Sequence, residues 1–157
     1  MPETKTIRCL PMGLCSWNYR LEGGGVRGSL DYATWTEQGT LRTGAESFRV
    51  KKHGALSGRW TLESSRGTSF IAQKSISRHF EISTALGALV LEAESAFTRR
   101  FHLTLDGRVL AKYTPDHAFT RRATIEVAAE VDDELIAFTF WLVALCWRRA
   151  NQAAAAS

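Results

Sequence analysis

The residues able to do chemistry are few and widely spaced. The four histidines, His53, His79, His102 and His117, are far apart, and none has the H-x-x-x-H spacing that lets one helix face hold a metal. Of the three cysteines, Cys146 lies in an apolar run where a thiol acts as a small hydrophobe. Cys9 and Cys15 could pair, though nothing in the sequence demands it, and no C-x-x-C is present. Gly23-Gly-Gly-Val-Arg-Gly28 matches G-x-G-x-x-G in letters. A nucleotide cradle needs a helix N-terminus directly after it, whereas Ser29-Leu-Asp-Tyr-Ala-Thr-Trp35 is strand-like, so 23–28 reads as a flexible strand-to-strand turn. Asp132-Asp133-Glu134 suits the first turn of a helix better than a metal cluster. With no G-x-S-x-G elbow either, the sequence offers no catalytic residues, no metal site and no cofactor, and an enzyme is not expected.

What remains is positive charge. Lys51-Lys52, Arg99-Arg100 and Arg121-Arg122 are basic doublets at or near strand ends. Alternation sends Arg100 and Arg122 outward and puts Arg99 and Arg121 on the core parity, which places them at a rim. Phosphate recognition needs convergent donors, Arg as a fork and Lys as a point charge. The candidate ligand-binding residues are therefore Arg100, His102, Lys112 and Arg122, on outer strand faces. Overall the 157 residues carry 20 Lys and Arg against 16 Asp and Glu, a net charge of +4. Residues 1–78 hold 12 basic and 6 acidic side chains, and the rest hold 8 and 10. That balance allows a basic face and gives only weak support to nucleic-acid binding.

These side chains must be positioned by strands. Segments 29–35, 46–52, 58–63, 68–74, 76–82 and 86–93 are rich in aromatic and branched residues and are separated by turn signals. Ile76, Phe80 and Ile82 share one face, and 86–93, apolar on both parities, predicts a strand covered on both sides. Around Asp106-Gly107, a three-residue loop or a bulge including Arg108 pairs Leu105 with Val109, Leu103 with Ala111 and Phe101 with Tyr113. His102 and Lys112 then stand side by side outside. A last strand over 119–129 turns Ala123, Ile125 and Val127 inward. At least nine strands at this spacing predict a sandwich or barrel.

The period then changes. Between Leu135 and Trp147 only Thr139 is polar, so the helix is apolar on every side and cannot lie half-wet on a surface. Its roughly 20 Å is short of the ~30 Å bilayer core. A helix sheathed in protein is the favoured solution, with a short tail anchor as the alternative. A chain of strands ending in such a helix suggests a barrel closed around it.

This order resembles the tubby C-terminal-like superfamily, which includes tubby-like proteins, phospholipid scramblases and LURP-one-related proteins. The similarity is carried by Phe48–Lys52, Arg59–Glu63, the hairpin Phe101–Lys112, and the acidic cluster followed by Leu135–Trp147, and it spans roughly 14–149. The resemblance implies a closed antiparallel barrel of about 10–12 strands around one buried hydrophobic helix (133–149), with 1–13 an N-terminal extension and 150–157 a flexible tail. It also implies a non-catalytic module that binds acidic phospholipid or another phosphate-bearing surface. A protein-interaction scaffold using the 23–28 turn is the alternative. No cysteine-rich acylation stretch or acidic calcium loop is present, so lipid translocation is not implied. Without an apolar leader at its start, the chain is expected in the cytoplasm, meeting membranes peripherally and not spanning them.

Overall fold

The computed structural model describes residues 3–14, 16–33, 36–76 and 78–156. Strands β1 (Thr4–Pro11), β2 (Tyr19–Gly23), β3 (Val26–Tyr32), β4 (Gly39–Thr43), β5 (Glu46–Lys52) and β6 (Arg59–Ser64) are followed by β7 (Gly67–Ile76), β8 (His79–Thr84), β9 (Gly87–Ala93), β10 (Phe101–Leu105), β11 (Arg108–Pro115) and β12 (Ala123–Ala128). Each pairs antiparallel with its sequence neighbours, and β1 pairs with β12 to close the barrel. Helix α1 (Asp133–Ala156) enters at one end and fills it. The expected mainly-β barrel around a C-terminal helix is therefore the fold.

Closure explains the burial pattern. One parity of every strand faces in, so Ile7, Leu21, Leu30, Leu41, Val50, Leu62, Phe80, Leu91, Leu103 and Ile125 are all sealed. All thirteen residues from Leu135 to Trp147 are buried, which is what an all-round apolar helix requires. Its one polar member, Thr139, bonds Leu135 O, Ile136 O and the Tyr113 hydroxyl. Tyr32 donates to Trp141 O (2.6 Å) and stacks on that indole, while Trp147 Nε1 donates to Arg99 O (2.9 Å). At the far end Arg149 makes a fork to Glu37, at 2.6 Å for both bonds. Cys9 and Cys146 are free and buried, and burial raises the pKa of both thiols.

Several expectations shift. Residues 4–11, read as part of an extension, form β1 and supply the closing strand. The helix continues through the tail to Ala156, as its alanines favour. The 101–113 hairpin keeps Phe101 opposite Tyr113, His102 opposite Lys112 and Leu103 opposite Ala111, but Leu105 pairs with Arg108. Asp106 and Gly107, at φ 50° and 80°, make the tight two-residue turn themselves. The extra residue is displaced to Leu110, which is buried, while Val109 turns out. Ile76 is exposed, because an irregularity between Lys74 and Ile76 breaks the alternation. Strand β9 is covered on its inner face only, since nothing is layered outside a closed barrel, and Ala88 is exposed. Phe119 lies outside β12 and is exposed. Cys15, the end of the 29–35 segment (34–35) and Ser77 lie outside the described residues.

Because every strand reverses, the two ends differ. Turns 24–25, 44–45, 65–66, 85–86 and 106–107 lie at one end with the entry of α1. The β1–β2, β3–β4, β5–β6, β9–β10 and β11–β12 connections lie at the other, with Arg78 and the exit of α1.

Candidate functional site

The four residues predicted to bind phosphate divide into two places. His102 and Lys112 are cross-strand partners on the outer wall, as their register requires. The same row continues to Glu92 on one side and Glu126 on the other. Glu92 accepts from His102 (3.3 Å) and His79 (3.0 Å), so this part of the wall is an acid–base row and not a concentration of positive charge. Arg100 and Arg122 are exposed at the loop end, just before β10 and β12.

Their neighbours Arg99 and Arg121 lie at the rim, where they brace loops. Arg78 donates to Thr98 O (2.7 Å) and Ala96 O (2.6 Å) of the 94–100 loop. Arg99 donates to Ala118 O and Thr120 O, both at 3.0 Å, in the 116–122 loop. Arg121 donates to Gly13 O (2.9 Å) and Leu14 O in the 12–18 loop. Each guanidinium thus ties the next loop around the barrel. Burial lowers the pKa of Arg99, partly countered by Tyr19.

A second basic site was not anticipated. The outer wall across β1–β4 is hollowed into a cavity of about 1020 Å³ that includes Arg8, Arg20, Arg27, Arg42, Glu22 and Ser29 in its lining. Its floor includes Gly23, Gly25, Gly28 and Gly44. A Cβ at Gly28 would stand 2.6 Å from Arg42 O, and one at Gly23 would stand 2.6 Å from Thr6 O, so the strands approach there as only glycine allows. Register gathers the charges: Arg8 faces Glu22, Glu22 faces Arg27, and Ser29 lies between Arg20 and Arg42. Arg20 pairs at 3.3 Å with Glu22, the one carboxylate among the described residues that line the cavity. Among the described residues, Arg8, Arg27 and Arg42 take no ion-pair partner and no side-chain hydrogen bond. Three guanidinium forks are left facing one hollow. The signal was present as Arg at outward parity in successive strands, but Arg8 enters only once 4–11 is a strand.

The cavity lining is basic, with four arginines against one carboxylate among the described residues. Among the described residues, no group of His, Cys, Asp and Glu could hold a metal ion. His53 bonds Thr61 (2.7 Å), remote from the His79–Glu92–His102 group. The glycine motif is split: Gly24-Gly25 make the β2–β3 turn, and Gly28 lies inside β3. No helix starts there to receive a pyrophosphate. No helix among the described residues is long and apolar enough to cross a membrane. Compared with protein-family models, with curated proteins and with solved structures, the chain finds no match.

Proposed function

We propose that the protein is a non-catalytic binding barrel of tubby-like kind that takes the phosphate of an acidic phospholipid head group in the β1–β4 arginine cavity. The observation that carries this reading is the convergence of Arg8, Arg27 and Arg42, without partners among the described residues, on one hollow in the outer wall. Guanidinium forks bind phosphate oxygens two at a time, and the lining is open at Gly25 and Gly44, where a Cβ would meet nothing within 4 Å. A strand order closed around a terminal apolar helix supports the kinship with the tubby-like superfamily. Each cation near an anionic surface contributes about 1 kcal/mol, so replacing three arginines weakens binding by about 3 kcal/mol, on the order of a hundredfold.

The test is co-sedimentation with phosphatidylcholine vesicles, with and without phosphatidylserine, for wild type and for Arg8→Gln/Arg27→Gln/Arg42→Gln. Salt-sensitive pelleting on the anionic vesicles, lost in the triple variant, is expected. Inorganic phosphate and soluble polyphosphate as competitors separate a free phosphate ligand from a lipid head group. Equal pelleting of both proteins overturns the assignment of the cavity.

A further inference from the structure

The two ends of the barrel differ in more than loop length. Four loops at the exit end hold a large apolar side chain almost wholly in solvent: Leu14 (95% exposed, with Met12 partly exposed beside it), Leu56 (100%), Phe97 (100%) and Phe119 (99%). Two of these loops carry the same five residues, Ala96-Phe-Thr-Arg-Arg100 and Ala118-Phe-Thr-Arg-Arg122. Their conformations match as well. Thr98 Oγ1 accepts from Arg100 N (3.1 Å), and Thr120 Oγ1 accepts from Arg122 N (3.0 Å). Ser57 Oγ does the same for Arg59 N (3.2 Å) after Leu56. Together with the Arg78, Arg99 and Arg121 braces, these bonds fix the loops in shapes that leave the apolar tips unpacked. A loop ordered by its own polar groups around an unburied phenylalanine is built to meet something apolar outside the chain.

Charge says what that is. The connections and helix exit at this end hold seven arginines against three carboxylates. The opposite end holds Arg66 against Asp106, Glu130, Asp132, Asp133 and Glu134. The barrel is therefore polarised along its axis, with the loop end toward an anionic surface. The tips stand singly on separate loops; Phe97 and Phe119 are two strands apart, about 10 Å. A folded protein partner needs one contiguous apolar core, whereas a bilayer interface accepts separate wedges flanked by arginine. The exposed helix turns 150–156 leave by the same end and extend about 10 Å, close to the depth of the interfacial layer.

We infer that the loop-bearing end is a bilayer-docking face, in which Phe97 and Phe119, with Leu14 and Leu56, enter the interface of an anionic membrane while Arg100 and Arg122 lie at its phosphates. This shares acidic lipid as a ligand class with the proposed function but rests on the loop end, whereas the arginine cavity opens on the side wall toward the 24–25 and 44–45 turns and would take a different lipid molecule. Both phenylalanine side chains are fully solvent-exposed, so removing them leaves the core intact.

The experiment is partitioning on phosphatidylcholine–phosphatidylserine vesicles of wild type, Phe97→Ala/Phe119→Ala, and Leu86→Ala as the control at the turn end. Each phenylalanine is worth about tenfold, so the double variant should lose about a hundredfold and Leu86→Ala nothing. Part of the wild-type binding should survive high salt, and that part should be what the double variant lacks. Binding of soluble polyphosphate should be unchanged in the double variant and reduced in the Arg8/Arg27/Arg42 variant, which separates the two sites. The inference is overturned if the double variant partitions like wild type, if Leu86→Ala loses as much, or if wild type ignores the vesicles. It is also overturned if the double variant only dissolves a dimer seen in sedimentation, since the face then meets a second copy of the chain.

Discussion

The only hydroxyl buried inside the helix allows a sharp test of how the barrel holds its core. Thr139 and Tyr113 are both inaccessible to solvent. Thr139 Oγ1 lies 2.8 Å from Leu135 O and 3.0 Å from Ile136 O, and carbonyls only accept. Its single proton is therefore spent on the helix, and the Tyr113 phenol must donate to Thr139. Burial, partly countered by this bond, raises the pKa of the phenol well above its ordinary range and keeps it protonated. Thr139→Val preserves volume but leaves that donor with no acceptor, at a cost of about 1–3 kcal/mol. Tyr113→Phe leaves Thr139 bonded to its own helix and should cost about 1 kcal/mol. In the double variant no unpaired group remains, so its loss should be near that of Tyr113→Phe alone, a coupling of about 1–3 kcal/mol. With a urea slope of about 1–3 kcal/mol per molar, Thr139→Val should lower the midpoint by about 1 M and the second substitution, instead of adding its own loss, should restore about half of it. Losses that add within about 0.5 kcal/mol would refute the donor assignment.

Two further predictions concern the exit end of the helix. Glu37 accepts from Arg149 and from Lys52, at 2.6 Å each. Burial alone would raise its pKa, but these hydrogen bonds and charges outweigh it, and the net shift is downward. A pKa lowered in the folded state adds stability that is present above the unfolded value and lost as pH falls through the folded one. Glu37→Gln should therefore cost about 1 kcal/mol at neutral pH, discounted for partial exposure, and the gap from wild type in urea titrations should close under acid conditions. Gly39→Ala should cost about 3 kcal/mol in the same titration, as overpacking does. A Cβ there would stand 2.0 Å from Asp31 O and 2.6 Å from the Trp141 ring, and neither backbone nor a sealed indole can give way. A near-neutral result would mean that β3 and β4 are not held this close.

Much of this was legible in the residue order because the signals are local. Apolar residues on every side from Leu135 to Trp147 could only be satisfied by complete enclosure, and alternation fixed Phe101 opposite Tyr113 and Ala123, Ile125 and Val127 inward. The bulge went to Leu110 and not Arg108 because Asp106-Gly107 prefers the two-residue turn, and a phase error can be absorbed anywhere along a hairpin. Closure is not local. That Thr4–Pro11 joins Ala123–Ala128 depends on twelve strands coiling until the edges meet, whereas Arg8 stands near Arg20, Arg27 and Arg42 because β1 to β4 pair in order in a register that lines up their outer faces. The doublets stood out in the sequence because their charges are adjacent. Yet Arg99 and Arg121 are spent on backbone carbonyls, whereas the arginines facing a common hollow are scattered through residues 8–42. Sequence by itself determined which face of each strand is wet and that the last helix must be covered. Tertiary structure decided which wet faces share a cavity and that the first strand meets the last, because cross-strand register and closure join residues that are far apart along the chain.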